Sequence, residues 1–288
     1  MKENRAKNGG EDKYYTRPFI ADYVTQLVID KFGTNIDYIE PSAGSGVFID
    51  SYKKITNKSN IQGYDIAPHS KNIIKQDWLH ITKDKVKGKA VIGNPPFGFA
   101  ASLAIEFFNK AAEQEAQSIS FIIPKTFRKE STHNKLDLNY KLVLDIDLPK
   151  NAFFFYEKED EYYDVPTVFQ IWQKVKKPRE LTVMLTTSPY FNFVDKASEH
   201  DLCVRRAGGK AGQIVEGDLT PSSTYFIQLV DSRVLYALKI YDYNKYVNNT
   251  AGVKSISKHE LITEINRIMV ILDIELPPIT PDKMDVLF

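Results

Sequence analysis

The stretch Val91-Ile92-Gly93-Asn94-Pro95-Pro96-Phe97 constrains this chain more than any other. Lys89 to Ile92 is a short, mostly β-branched apolar run, the pattern of a strand covered on both faces. Two prolines then end the ladder, because neither can donate a backbone hydrogen bond. Pro95 also biases Asn94 away from helical backbone. The reading is a buried strand running into a stiff turn that carries an amide, open carbonyls and an aromatic ring. In open α/β sheets, ligands bind at that carboxyl end of the strands. A proline-terminated strand with an Asn turn and a core Phe is the plain alternative.

Those groups suit chemistry on an adenine amine. The exocyclic nitrogen is a poor nucleophile because its lone pair is delocalised into the ring. The Asn94 side-chain carbonyl and the Pro95 backbone carbonyl can each accept one of its N–H bonds. That draws the nitrogen toward tetrahedral geometry and stabilises the positive charge developing on it. Pro96 stiffens the turn, and Phe97 offers a face for the base, a stacking contact worth roughly 1–3 kcal/mol.

Upstream, Tyr14-Tyr15-Thr16 precedes Arg17-Pro18. Thr16 is placed to cap a helix opened by Pro18, with Phe19, Ile20, Tyr23, Val24, Leu27 and Val28 at helical spacing and Gly33 closing it. Tyr15 and Thr16 serve equally as capping and packing residues or as a lip over a cofactor. Asn35 to Glu40 reads as the first strand. It enters Glu40-Pro41-Ser42-Ala43-Gly44-Ser45-Gly46, followed by a helix from Val47 to Lys54. Strand, glycine turn and helix is a nucleotide-binding arrangement in which a ligand approaches the backbone closely. An acid at the strand tip repels a pyrophosphate, whereas Glu40 suits the ammonium group of S-adenosylmethionine. The second strand, Asn60 to Asp65, ends in Asp65-Ile66, about 20 residues past the glycine turn and so placed for ribose hydroxyls. Ile66 is placed to cover one face of the adenine. Residues 72–76 form a third strand ending at Asp77-Trp78, where Asp77 can accept from the adenine amine. Surface turns are the plain reading of both acids.

Beyond the proline turn, Phe99 to Gln114 reads as a helix with Leu103, Phe107 and Ala111 on one face. Phe107 is a core residue or a border of the adenine pocket. Ser118 to Pro124, Lys141 to Leu148 and Thr167 to Lys174 are further strands. Three consecutive aromatics, Phe153-Phe154-Phe155, cannot all face one core from a strand, so Phe153 is a candidate for the second face of a base sandwich. The acidic run Glu157 to Glu161 reads as a solvated loop. Lys176-Lys177-Pro178-Arg179 reads as a boundary. The expected division is a flexible N-terminus over 1–12, a catalytic domain over 13–176 and a target-recognition region over 177–288. In the last, Arg205, Arg206 and Lys210 on a Gly-rich loop, and Lys254, Ser255 and Lys258, suit phosphate contacts or solvated loops. Ser257-Lys258-His259-Glu260 is a capping box.

The order Tyr-Tyr-Thr, Glu-Pro-Ser-Ala-Gly-Ser-Gly, Asp65, Asp77 and Asn-Pro-Pro-Phe resembles the amino-group DNA methyltransferases, and the N6-adenine enzymes of the gamma arrangement in particular. Glu40 stands where Asp is more common. The resemblance covers residues 13–175. It implies an α/β, Rossmann-like fold with a seven-stranded, mainly parallel sheet whose last strand is antiparallel, followed by a smaller α+β target-recognition region. It implies that Tyr15, Thr16, Glu40, Pro41, Ala43, Gly44 and Gly46 surround the methionine end of S-adenosylmethionine. Asp65, Ile66, Asp77, Trp78 and Phe107 would surround its nucleoside, with Asn94 between cofactor and base. Asn94, Pro95 and Pro96 would hold the target amine, and Phe97 and Phe153 would stack on the base. The implied partner is double-stranded DNA, joined by a cognate restriction endonuclease if the chain serves restriction-modification and by none if it is an orphan or phage modification enzyme. Methylation of RNA adenine, cytosine N4 or protein glutamine, or a catalytically silent DNA-binding module, are the alternatives.

Composition limits the rest. The net charge of +1 does not by itself favour nucleic acid. Cys203 is the single cysteine, which excludes an internal disulfide, a cysteine metal cluster and, lacking a proline-flanked context, a cytosine-C5 nucleophile. The 5 histidines show no metal-ligand spacing, so no metal is expected. No run of about 18 apolar residues is present and the polar start lacks a signal peptide's apolar segment. The expectation is a cytoplasmic monomer without membrane attachment.

Overall fold

In the computed structural model the run before the two prolines is a strand, Ala90–Gly93, buried along its length, as an apolar segment covered on both faces requires. The structure describes residues 15–155, 158–163, 165–217 and 219–275. The stretch 1–12 and Tyr14 lie outside the described residues.

The first unit ends at Thr182. Its elements are β1 (Tyr15–Thr16), α1 (Pro18–Phe32), β2 (Tyr38–Glu40), α2 (Val47–Thr56), β3 (Ile61–Asp65), β4 (Ile73–Lys75), α3 (Lys83–Val86), β5 (Ala90–Gly93), α4 (Ser102–Glu113), β6 (Ser118–Pro124), α5 (Glu130–His133), β7 (Tyr140–Asp147), β8 (Phe153–Phe155), β9 (Lys158–Tyr163) and β10 (Thr167–Lys174). Seven strands form one sheet in the order β4-β3-β2-β5-β6-β10-β7. Neighbours from β4 to β6 are parallel, and β10 inserts antiparallel to both β6 and β7. This is the expected Rossmann-like sheet with its last strand reversed. Chain order reverses between β2 and β5, the switch point at which such sheets bind ligands.

Each face of the sheet carries its own core. On one, α1 and α2 lay Ile20, Val24, Val28, Phe48 and Tyr52 over Tyr38, Ile92 and Phe169. On the other, Phe107, Phe108 and Ala111 of α4 pack with Trp78, Phe121 and Trp172. A smaller sheet, β1-β8-β9, pairs Tyr15 with Phe154 and Thr16 with Phe153.

Four local expectations are corrected. Thr16 does not cap α1; it lies in β1, and Arg17 takes the N-cap position, where its side chain does not cap the helix. The helix expected from Phe99 begins at Ser102, because Ala100 and Ala101 have left-handed φ values of 51° and 64°. The acidic run read as a loop contributes Lys158–Tyr163 to β9, where pairing with β8 overrides the poor strand propensity of its acids. Arg179, expected beyond the boundary, is tied to the first unit: its backbone N donates to Leu138 O at 2.9 Å and its Nη2 to Leu136 O at 2.7 Å.

The second unit begins at Val183. It contains β11 (Phe191–Val194), β12 (Leu202–Arg205), β13 (Thr224–Leu229), α6 (Arg233–Ile240), α7 (Asn244–Val247) and α8 (Lys258–Glu275). The antiparallel sheet β11-β13-β12 and α8 share a core of Phe191, Val204, Ile227, Leu261, Ile265 and Met269. Among the described residues, no helix is long and apolar enough to cross a membrane.

Candidate active site

The two tips that flank the switch point carry the two most informative residues. Glu40 ends β2 and Asn94 follows β5. The tips approach closely because Gly93 has no side chain: a Cβ there would lie 3.2 Å from Pro41 Cδ and 3.6 Å from Glu40 Cγ. Ser42 joins them, its Oγ donating to the Asn94 backbone carbonyl at 3.1 Å. Neither Ser42 nor Gly93 emerged as a site residue from the sequence. Their roles depend on contact between segments about 50 residues apart, which spacing alone does not reveal. Asn94 is half-buried, Pro95 is buried and Pro96 half-buried.

Glu40 is 1% exposed. Its carboxyl accepts the backbone N–H of Ile49 in the first turn of α2, while its Oε2 is buried with no hydrogen-bond partner. Burial pushes its pKa well above the usual carboxylate range, and the Asp65 and Asp50 charges add to the rise. Thr16 Oγ1 is likewise buried without a partner. Buried polar atoms are nearly always satisfied, so these oxygens fit a ligand bearing N–H donors. An ammonium group there would also favour the ionised form of Glu40 over the neutral form that burial alone favours.

The turn between these acceptors is built for close approach. Gly44 takes φ +49°, favoured only for glycine, and a Cβ there would meet the Tyr15 ring at 3.5 Å. The His69 ring stacks on Tyr15 with centroids 6.1 Å apart, and His69 N donates to Gly44 O at 3.1 Å. Ala43 is buried beneath, its N–H bonded to Tyr64 O at 2.9 Å. Gly46 caps α2 with φ +94°. Asp65, at the tip of β3, accepts from Gly44 N at 2.7 Å and Ala67 N at 2.8 Å. A carboxylate has about four acceptor sites, so ribose hydroxyls can share it. Ile66 beside it is 64% exposed, an apolar surface without cover.

The remaining expected residues divide. Asp77 caps a short helical turn, accepting from Leu79 N at 2.9 Å, and pairs with His80 at 2.8 Å. Trp78 is a core residue, 1% exposed, its indole N–H bonded to Phe107 O at 3.1 Å. Phe107 is buried in the same core, beside Trp78. Phe97 is 7% exposed. Phe153 is fully buried among Ile20, Val24 and Phe169, so the side chain expected to face a base faces the core instead. The pairing of Thr16 with Phe153 decides this alternation, and Phe154 turns the other way to meet Tyr15 and Arg17.

In the second unit, two basic segments some 50 residues apart come together. Ala207 bridges Ser255, Gly208 N donates to Lys254 O at 2.9 Å, and Ile256 N donates to Arg206 O at 3.0 Å. Arg206, Lys210, Lys254 and Lys258 are exposed. Lys258 also lies over the Phe193 ring, 4.5 Å from its centroid. Arg205 differs: its Nη1 donates to Ser223 Oγ at 2.8 Å, a contact that braces the loop.

Residues 45–168 match the EDM2 methyltransferase-like domain. Protein ENHANCED DOWNY MILDEW 2 of Arabidopsis thaliana is 28% identical over 127 residues, which cover 39% of this chain and 10% of the plant protein. Among solved structures, a modification subunit of a putative type I restriction enzyme from Vibrio vulnificus is similar at 15% identity and TM-score 0.42, over 59% of this chain and 46% of that one. A putative RNA methyltransferase from Pyrococcus horikoshii is similar at 13% identity and TM-score 0.44, over 59% of this chain and 91% of that one. The chain thus spans about a tenth of the plant relative and under half of the restriction subunit.

Proposed function

We propose that this chain is an S-adenosylmethionine-dependent methyltransferase that modifies N6 of adenine in double-stranded DNA. The observation that carries the reading is the juxtaposition, across Gly93, of a buried carboxyl with an unsatisfied oxygen and the Asn94-Pro95-Pro96-Phe97 turn. Glu40 and Thr16 would hold the methionine ammonium end, with Gly44 and Ala43 beneath it. Asp65 would take the ribose hydroxyls, Ile66 would cover the adenine, and Asp77 would accept from its amine. Bound there, the cofactor supplies an electrophilic methyl group.

The rest of the reaction belongs to the chain. The Asn94 side-chain carbonyl and the Pro95 carbonyl accept both N–H bonds of the target amine, freeing its lone pair and stabilising the charge it gains as the N–C bond replaces the sulfonium C–S bond; S-adenosylhomocysteine would leave and one amine proton would pass to solvent. Ser42 fixes the Asn94 backbone while they do so. Pro96 holds the turn rigid, and Phe97 supports the base. Taking a base from the stack costs a few kcal/mol. Phosphate contacts by Arg206, Lys210, Lys254 and Lys258 position the duplex. Positioning then accounts for much of the acceleration.

The test is transfer of labelled methyl from S-adenosylmethionine to unmethylated genomic DNA, followed by nucleoside analysis. Labelled N6-methyladenine is the expected product. Label in RNA or protein but not DNA would move the substrate, and cofactor binding without transfer to any polymer would overturn the enzymatic reading.

A further inference from the structure

Phe99 is 93% exposed, the most open large apolar side chain among the described residues. It follows Phe97 by two positions, so its Cα lies within about 7 Å of the Phe97 Cα. Gly98, Ala100 and Ala101 have φ values of 69°, 51° and 64°. Two consecutive alanines in the left-handed region persist only where the surroundings hold them. Those surroundings are present: Ala104 N donates to Phe97 O at 3.3 Å, Ala101 N donates to Gly98 O at 3.4 Å, and Ala101 and Ala104 are buried. A regular helix starting at Phe99 would avoid the strain. The chain instead delays α4 to Ser102 and presents an aromatic ring to solvent beside the catalytic turn.

We propose that Phe99 is a wedge that enters the DNA base stack as the target adenine leaves it. The inference rests on the DNA-adenine reading above. A base drawn into the Asn94 turn leaves a gap in the duplex, and inserted apolar side chains such as Phe occupy opened base steps in other DNA-bending proteins. A ring stacked on the bases around that gap recovers part of the stacking lost. By the usual worth of a base–aromatic contact, this favours the flipped state by about 10- to 100-fold. Phe97 is 7% exposed and Phe153 fully buried, whereas Phe99 is open on this loop without rearrangement.

The experiment uses the full chain and duplexes containing a site mapped by sequencing methylated DNA. Wild type, Phe99→Ala and Phe99→Trp are compared on the paired duplex and on the same duplex with an abasic site opposite the target. A second set carries 2-aminopurine at the target, whose fluorescence rises when the base unstacks. Phe99→Ala is expected to lose about 10- to 100-fold in kcat/KM and most of the fluorescence rise on the paired duplex. It is expected to match wild type on the abasic duplex, and Phe99→Trp is expected to retain both signals. Equal losses on the two duplexes, or none, would overturn the wedge while leaving the methyltransferase reading in place. Absence of adenine methylation by wild type would overturn both.

Discussion

Glu40 is placed where folding alone would not choose an acid. Its burial raises its pKa, so above the ordinary glutamate range the folded chain holds a proton that the unfolded chain releases. Stability then falls as pH rises from about 4.5 toward the folded-state value, because the folded state binds more protons across that window. Glu40→Gln removes this dependence. Thermal unfolding followed against pH is expected to show a higher midpoint at neutral pH and a flatter profile. In the proposed complex the ligand's ammonium would draw Glu40 into its ionised form, a charged contact worth about 1.5–3 kcal/mol that Gln cannot make, so calorimetry should show cofactor affinity lower by about 10- to 100-fold. A variant that stabilises the protein and weakens its ligand is the signature of a functional acid. In the proposed reaction, Asn94 acts on the other side, at the target amine. Asn94→Ala is expected to reduce kcat by about 100- to 1000-fold, the usual cost of one preorganised charge-stabilising group, with a much smaller change in cofactor affinity. Ser42→Ala, which removes the 3.1 Å bond to the Asn94 carbonyl, should cost about 5-fold in kcat, in keeping with one hydrogen bond of about 1 kcal/mol.

At the scale of elements, α8 carries a prediction that needs no ligand. Ser257 N donates to Glu260 Oε2 at 2.8 Å, and Glu260 N donates to Ser257 Oγ at 3.2 Å, a complete capping box. Ser257→Ala should destabilise this helix start by about 0.5–2 kcal/mol, read as faster amide hydrogen exchange at Leu261 and Ile262 than in wild type. This box was legible in the sequence, as were β5, β6 and β10, because local chemistry decides them: a hydroxyl three residues before a glutamate, or a β-branched and aromatic run with Pro or Gly at one end. Elements decided by distant partners were not legible. β9 exists because β8 pairs with it, although its own residues read as a solvated loop. The inward turn of Phe153 follows from its register with Thr16. The family resemblance implies a place for Trp78 beside the cofactor, yet the α4 core claims its ring. The left-handed pair Ala100-Ala101 carries no compositional mark at all, since alanine is the residue that most favours helix.

For the whole molecule, 38 basic residues against 37 acidic ones leave almost no net field to draw in a polyanion. Any affinity for DNA must therefore come from local arrangement, and the bridge between Ala207 and Ser255 supplies one by setting Arg206 and Lys210 near Lys254 and Lys258. Arg205 is left out of this count because Ser223 engages it. If each of the four exposed cations meets a phosphate, the logarithm of the binding constant should fall against the logarithm of salt with a slope of about −3.6, at roughly −0.9 per contact. Replacing Lys210 and Lys254 together by alanine should bring that slope to about −1.8. It should weaken specific and nonspecific duplexes alike, because phosphate contacts position without reading sequence. Fluorescence anisotropy over a salt series measures both quantities, and cofactor affinity of the same variant should stay at the wild-type value. An unchanged slope would remove this ridge from the interface and assign the duplex to another surface, without touching the chemistry argued for Glu40 and Asn94.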